Sequence, residues 1–358
     1  MTTDRTTVKP RTAASPLRGV EVRAGAALAT GAAGEPLDVP GNSPLARRTS
    51  PGDRAMFPGM LRPWALAAIL WTAVWAPPAT AQILTGVERI EDEVPSSATF
   101  SKEIQLDCPP GKVAVSGGGT LTGPATQGQA LYQSLPIYDP PTSWLVVGRD
   151  VGGGGTMWGL RASVWCADPP PGLERVSALS DMTSISPKEL DIACPTGKAT
   201  IGGGVAIASS TATGVGINQI TILPSENWNF GGVELLPDGA DWALLGTVLC
   251  ADVQPSLRSR SVNHALSQIM STEMYCPDGT FPLAGGGEVF PTEAALTANR
   301  SGTSYAPYWS VAASQPGPSG AVYDLDLTLL CHPTSRLFDD GFESGDSSRW
   351  SQISESSG

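Results

Sequence analysis

The stretch Cys194-Pro-Thr-Gly-Lys198, followed by Gly202-Gly-Gly204, Trp228 and Cys250, decides the fold of this 358-residue chain because it recurs. Two further copies carry the same four landmarks in order: Cys108-Pro-Pro-Gly-Lys112, Gly117-Gly-Gly119, Trp144 and Cys166, then Cys276-Pro-Asp-Gly-Thr280, Gly285-Gly-Gly287, Trp309 and Cys331. The tryptophan precedes the closing cysteine by 22 residues in every copy. Four matched landmarks in three copies indicate an internal duplication.

The segments next to the cysteines have the pattern of strands. Trp158, Leu160, Ala162 and Val164 alternate with more polar residues on the way to Cys166, and a period of two is typical of a strand with one buried face. The segment before each opening cysteine alternates in the same way, and we take it as the first strand of the module. The Cys-Pro-x-Gly that follows is a turn. The glycine run then marks a bulge, a bend or a close backbone approach, and each module should hold five to seven short strands.

Composition agrees with this pattern. The chain contains 41 Gly and 32 Pro, and only 16% of its residues are charged, whereas long helices exclude Gly and Pro. We therefore predict an all-β fold of three tandem, disulfide-closed, β-sandwich-like modules. The alternative is one three-fold β-prism.

The predicted boundaries follow the landmarks. The three β repeats span 82–172, 173–253 and 254–335, and an acidic C-terminal tail occupies 336–358. Residues 1–55 show no hydrophobic period, and we interpret them as disordered or as the product of a mis-called start codon.

Residues 56–81 have the three parts of a secretory signal peptide. Arg62 precedes an apolar run over 64–76, and Ala79-Thr-Ala81 follows it as a cleavage site. The run is short for a bilayer span, although a buried helix or a membrane anchor is the alternative. We expect translation to start at Met56 or Met60 and cleavage to follow Ala81.

Six cysteines in an exported chain predict disulfides, because export leads to an oxidising compartment. Fifteen pairings are conceivable, and the repeat symmetry favours the local one: Cys108–Cys166, Cys194–Cys250 and Cys276–Cys331. No Cys-x-x-Cys pair is present, so we predict no metal site.

The sequence offers little support for catalysis. His264 and His332 are the only histidines, and they do not occupy equivalent places in the repeats. No Gly-x-Ser-x-Gly or His-Glu-x-x-His motif occurs. We predict no catalytic residue, no cofactor and no enzyme activity.

Charge limits the partners. The net charge of −12 argues against nucleic acid, since phosphate binding needs clustered cations. No stable membrane insertion is expected. The partner we expect is an extracellular glycan or an envelope component.

Five residues are candidates for contact with such a partner. Trp165, Leu249 and Leu330 directly precede the closing cysteines, on the face of the strand whose other residues are mostly polar. Something should cover them, either a neighbouring module or a partner. Tyr138 and Tyr308 are aromatics that the other copies lack. The repeated tryptophans are expected in the core, with a platform for sugar stacking as the alternative.

The module resembles a family of uncharacterised secreted bacterial repeats with the pattern Cys-Pro-x-Gly-Lys, Gly-Gly, Trp and a closing Cys-Ala. The first two copies match, ending in Cys166-Ala-Asp168 and Cys250-Ala-Asp252, but the third departs with Thr280 and Cys331-His332. The resemblance implies no activity.

Two looser likenesses bear on fold and location. Three repeats with a Cys-Pro-x-Gly turn resemble the vitelline membrane outer layer protein family, which implies a three-sided β-prism. The tail Leu337-Phe-Asp-Asp-Gly-Phe-Glu-Ser-Gly-Asp346 with Trp350-Ser351 resembles a C-terminal motif of secreted proteobacterial proteins, which implies passage through, or attachment to, the cell envelope.

We therefore predict a secreted or cell-surface structural or binding protein, located outside the cell or in its envelope, without catalysis. A carbohydrate-binding, lectin-like protein is the alternative, and a secreted glycoside hydrolase comes third.

Overall fold

The computed structural model describes residues 83–333 except 124–127, 210, 224, 226, 254–256, 266–268, 291–293, 303–307 and 316–322. The described residues belong to one compact unit. The predictions for residues 1–55, for the signal peptide over 56–81 and for the tail over 336–358 fall outside the described residues.

Every secondary-structure element in the described residues is a β-strand, which confirms the all-β class. Repeat 1 forms β1 (Glu88–Ser97), β2 (Ser101–Asp107), β3 (Val113–Thr122), β4 (Gln129–Ile137), β5 (Ser143–Asp150) and β6 (Trp158–Ala167). Repeat 2 forms β7 (Glu174–Leu179), β8 (Lys188–Ile192), β9 (Ala199–Ala208), β10 (Val215–Ile222), β11 (Trp228–Glu234) and β12 (Ala243–Ala251). Repeat 3 forms β13 (Leu257–Ala265), β14 (Ile269–Tyr275), β15 (Thr280–Phe290), β16 (Ala295–Ser301), β17 (Tyr308–Ser314) and β18 (Tyr323–Pro333).

Each repeat begins one strand earlier than the sequence pattern indicates. The strand before the opening cysteine is the second of its repeat, because β1, β7 and β13 come before β2, β8 and β14. β1 has the sequence ERIEDEVPSS and no fully buried residue, so it lacks the clear apolar alternation by which strands are recognised.

The strands form three antiparallel six-stranded sheets, and every sheet combines two repeats. The orders are β1-β6-β3-β16-β17-β14 in the first sheet, β2-β5-β4-β9-β12-β7 in the second and β13-β18-β15-β10-β11-β8 in the third. Strands one, six and three of a repeat thus lie beside strands four, five and two of a neighbouring repeat. The structure therefore confirms three disulfide-closed β modules, and it shows that neighbouring modules share their sheets.

The three disulfides join the cysteines within each repeat, as predicted: Cys108–Cys166, Cys194–Cys250 and Cys276–Cys331. Each opening cysteine follows a strand of one sheet, and each closing cysteine lies in a strand of another. Every disulfide therefore ties two sheets together and closes one module.

The repeated tryptophans are core residues. Trp144, Trp228 and Trp309 are buried, and each indole lies against a glycine of the third strand of its own repeat. A Cβ atom on that glycine would come within 2.6–2.7 Å of the ring, at Gly117, Gly203 and Gly285. These glycines are equivalent in space, so the glycine run of repeat 2 is offset by one position from the other two.

The next glycine in each repeat marks the seam between two repeats. A Cβ atom there would lie 1.8–2.1 Å from a backbone carbonyl oxygen of the neighbouring repeat, at Gly118, Gly204 and Gly286. The carbonyls belong to Asn299, Ser134 and Ile220. Of the readings that the sequence left open for the glycine runs, close backbone approach therefore applies, and it allows the repeats to pair.

A second apolar cluster packs apart from the main core, and we name it the end cluster. It contains Leu84, Val113, Val115, Ala167, Ala199, Ile201, Leu249, Ala251, Val253 and Leu283. These residues come from all three repeats and from the segment that precedes β1. The end cluster therefore packs side chains of all three repeats against one another.

Candidate functional site

Two of the five predicted contact residues are inside the protein. Leu249 is fully buried in the end cluster, and Leu330 is 4% exposed in the main core. Neither can touch an outside partner, because the chain itself covers the end of their strands. Trp165 at the equivalent position is half-buried and packs on the end cluster.

Tyr138 lies on the surface, 56% exposed, with a positive φ of 72°. Its carbonyl oxygen accepts a hydrogen bond from the Arg175 guanidinium at 2.9 Å, which fixes the loop after β4 to β7 of the next repeat. Its backbone is therefore part of a contact between repeats.

The other two candidates, Trp165 and Tyr308, lie on the outer face of the first sheet. We name this surface the arginine face and define it by its charged and aromatic members: Arg89, Glu91, Glu93, Arg161, Trp165, Glu273, Tyr275, Arg300 and Tyr308. The members with numbers below 170 come from repeat 1 and the others from repeat 3. The seam between the repeats therefore crosses the middle of the face.

Arg89 connects the two sides of the seam. Its Nε donates to the hydroxyl of Ser301, and its Nη2 donates to the carbonyl oxygen of the same residue, both at 3.0 Å. The hydroxyls of Ser163 and Ser301 also meet at 3.4 Å, although β3 separates their strands in the sheet. Arg89 also forms an ion pair with Glu91.

Arg161 forms an ion pair with Glu93. Its Nε and Nη2 donate to Oε2 of Glu93 at 3.0 and 2.6 Å, and this hydrogen bonding raises the pKa of Arg161. The pair is about two-fifths exposed on both sides, so its contribution to stability is small, roughly 0.2–1 kcal/mol.

Arg300 is the arginine with the poorest pairing on the face. Its side chain is 15% exposed, and its Nη1 lies 3.9 Å from Oε1 of Glu91, the carboxylate that Arg89 already engages. Burial is the main reason why the pKa of Arg300 is lowered; repulsion by Arg161 and Arg89 lowers it further, whereas attraction to Tyr308 and Glu91 partly opposes the shift. A buried cation with a shared, distant counterion is an anion-binding group whose capacity is only partly used.

Two tyrosines lie on the same face as Arg300, on the two strands that follow its strand in the sheet. The rings of Tyr275 and Tyr308 are 5.5 Å apart and tilted by 49°, and Tyr275 is 58% exposed. A side chain at Gly302 would overlap the Tyr308 ring, so the glycine lets this ring lie against the backbone. The pair offers an accessible aromatic surface next to a guanidinium.

Arg161 and Arg300 have no counterparts on the other two sheets. The second sheet carries Leu245 and Leu135 at the equivalent positions, and the third carries Asp326 and Thr221. The strands are the same, but the side chains at these positions differ in charge from sheet to sheet. Arg161, Arg300 and Leu245 are partly exposed, whereas Leu135, Asp326 and Thr221 are buried.

The motif lysine has a structural role in the first two repeats. Lys198 donates to the carbonyl oxygen of Gly172 and lies 3.4 Å from Asp252 and 3.7 Å from Glu174. Lys112 repeats the arrangement with Gly86 and with Glu88 at 2.8 Å. The lysine thus holds the entry to the first strand of its repeat, which explains a motif that the sequence analysis left without a role.

The described ranges contain neither a candidate metal site nor a candidate membrane-spanning helix. There, no three His, Cys, Asp or Glu side chains gather in a way that could hold a metal ion. No helix in that part of the chain is both long and apolar enough to cross a membrane.

No family model matches the chain, and no curated protein matches it. The resemblances to secreted bacterial repeats and to the β-prism family therefore stay predictions.

Proposed function

We propose that the chain is an extracellular structural and binding protein, secreted or held at the cell surface, that performs no catalysis. One observation carries the proposal: the core tryptophans, their glycines and the disulfides repeat, while the strand face that points away from the core carries different residues in each sheet. The position five residues before the closing cysteine is Arg161, Leu245 or Asp326. A constant frame with three chemically different faces suits recognition of partners.

The disulfides support an extracellular location. All six cysteines are paired within their repeats, and structural disulfides persist in oxidising compartments. Loops of 55–58 residues are worth roughly 4 kcal/mol each in the chain-entropy account. The frame is therefore suited to conditions outside the cell.

Carbohydrate binding is the second candidate, and the arginine face favours it. Tyr275 and Tyr308 present aromatic surface next to Arg300, and binding sites commonly combine aromatic contact with a few polar groups that fix orientation. Hydrolysis is less well supported, since a glycoside hydrolase needs two carboxylates across the sugar and both repeat 1 glutamates of this face are engaged by arginines.

The test uses the full-length chain with its disulfides formed. We expect it to sediment with isolated bacterial envelope or to bind a defined set of glycans on an array, in both cases above a disulfide-bonded control protein of similar charge. Association with neither would overturn the proposal. An assay for new reducing ends on the bound glycans should stay at the blank level, and release of sugar would contradict the absence of catalysis.

A further inference from the structure

We infer that the arginine face binds a carboxylate-bearing sugar, a uronate residue within an acidic polysaccharide, with Arg300 as the group that receives the carboxylate. The inference deepens the proposed binding function and rests on it. It begins from the arginines of the face, because Arg89 and Arg161 pair closely with glutamates and Arg300 does not.

Each glutamate of repeat 1 on this face is committed to another arginine. Glu93 receives two hydrogen bonds from Arg161, and Glu91 pairs closely with Arg89 while it stays 3.9 Å from Arg300. The burial and repulsion that lower the pKa of Arg300 would both be offset by an added anion. A ligand carboxylate can accept two parallel hydrogen bonds from one guanidinium.

The surroundings select a sugar over a small inorganic anion. Arg300 lies opposite Ser310 in the sheet. Tyr308 precedes Ser310 by two residues on the same strand face, so the Cα atoms of Tyr308 and Ser310 are about 7 Å apart. Tyr275 lies opposite Tyr308 on the next strand. A pyranose ring with a carboxylate at its edge can contact the guanidinium while its C–H face packs on a tyrosine ring.

One residue on the face opposes this binding. Ser310 lies between Arg300 on one neighbouring strand and Glu273 on the other. The Glu273 side chain is exposed and has no hydrogen-bond or ion-pair partner among the described residues. Its charge would repel a bound carboxylate. Removal of the Glu273 charge should therefore strengthen binding of the carboxylate, whereas removal of the Arg300 charge should weaken it.

The experiment titrates the full-length chain with a linear tetragalacturonate, and with its methyl-esterified form, which is neutral. We expect saturable binding of the acid that is at least 10-fold tighter than that of the ester. Arg300→Gln should weaken binding at least 10-fold, Tyr275→Ala about 3-fold or more, and Glu273→Gln should strengthen it 2-fold or more. Arg175→Gln, which alters the second sheet at the place equivalent to Arg89, is the matched control and should leave the affinity for tetragalacturonate unchanged.

Folding is checked by thermal melts of every variant. Because Arg300 is largely buried, Arg300→Lys provides a second variant that keeps the charge but loses the planar fork; it should bind with intermediate affinity. Equal affinity of wild type, Arg300→Gln and Arg300→Lys would overturn the inference, as would equal binding of acid and ester. A sulfated tetrasaccharide bound as tightly, with the same dependence on Arg300, would also overturn the choice of a carboxylate.

The two proposals can fail separately. If the chain binds envelope or other glycans while tetragalacturonate binding is absent or independent of Arg300, the inference fails and the proposed function stands. If neither tetragalacturonate nor envelope nor any glycan binds, the proposed function fails as well.

Discussion

The first two repeats and the third repeat share their strands, disulfide and core tryptophan, but they differ where the strands end. In repeats 1 and 2 a lysine holds the entry loop, whereas in repeat 3 the hydroxyl of Thr280 donates to the carbonyl oxygen of Pro277 at 2.6 Å. After the closing cysteine, repeats 1 and 2 have Ala167 and Ala251, whereas repeat 3 has the buried His332.

A third difference concerns the second strand of each repeat. The Lys102 ammonium lies 5.1 Å from the centre of the Trp158 ring, and the Lys188 ammonium lies 4.9 Å from that of Trp242. Burial lowers the pKa of Lys102. Repeat 3 has the buried Met270 at the corresponding position. The core tryptophans and the glycines beside them are therefore the same in all three repeats, because packing within and between repeats fixes them. The residues at the strand ends differ in repeat 3, where several of them are replaced together.

The largest expected effect tests the shared part. Trp144→Ala and Trp309→Ala should each lower the free energy of unfolding by about 3–5 kcal/mol, because each removes a buried indole that fills the space above a glycine. Denaturant unfolding with intact disulfides measures both. A loss below about 1 kcal/mol for Trp309→Ala alone would mean that repeat 3 does not share the core on equal terms.

The strands, disulfides and core tryptophans can be predicted from the sequence because their landmark residues recur in three copies. The period-two alternation into Cys166 and the match of Trp144 with Trp228 identify strands, core and disulfides, since each depends on residues within one repeat. The pairing of β3 with β16 could not be predicted, because alternation shows which side chains face inward but not which strand lies alongside.

The arginine face escaped prediction for a related reason. Arg89 and Arg300 are 211 positions apart and belong to different repeats, so no local motif connects them. Tyr308 was a candidate as a non-repeated aromatic and Trp165 as the residue before a closing cysteine, and the structure places both on one face. Leu249 and Leu330 were candidates through an outward strand position, but the end cluster and the main core cover them.

The second prediction compares two leucines on one strand face. Leu249→Ala should cost about 3 kcal/mol, because the side chain is fully buried in a cluster drawn from all three repeats. Leu245→Ala, four residues earlier on the same face and half-exposed, is the control and should cost less than about 1 kcal/mol. Equal losses in chemical denaturation would mean that the end cluster adds nothing to Leu249.

The third prediction concerns pH and His332, the residue that sets repeat 3 apart. Its Nε2 accepts a hydrogen bond from the Leu84 N–H at 3.2 Å, and burial lowers its pKa from 6.5 to about 4. The unfolded chain therefore takes up the proton first as pH falls. Stability from the neutral imidazole is complete above pH 6.5, declines between about pH 6.5 and 4, and levels off below that range.

The size of this effect is at most about 3.5 kcal/mol, since one pKa unit corresponds to about 1.4 kcal/mol. His332→Ala, which restores the residue of the other repeats, should lower stability at pH 7 by about 1–3 kcal/mol, because the Leu84 N–H loses its acceptor. The difference between wild type and His332→Ala should narrow from pH 6.5 to pH 4 in thermal melts. A constant difference over this range would show that His332 does not titrate with folding.

The smallest expected effect tests whether the ends of the repeats are interchangeable. Lys198→Thr, which copies repeat 3, should cost about 1 kcal/mol, because it removes the contact with the Gly172 carbonyl and two exposed ion pairs with Glu174 and Asp252. Part of that loss should disappear in 0.5 M salt, which screens the ion pairs. The reverse change, Thr280→Lys, should bring no gain, because repeat 3 has Pro333 where repeat 2 has Asp252. A gain of 1 kcal/mol from Thr280→Lys in the same unfolding assay would mean that the lysine acts alone, without the residues that accompany it in the first two repeats.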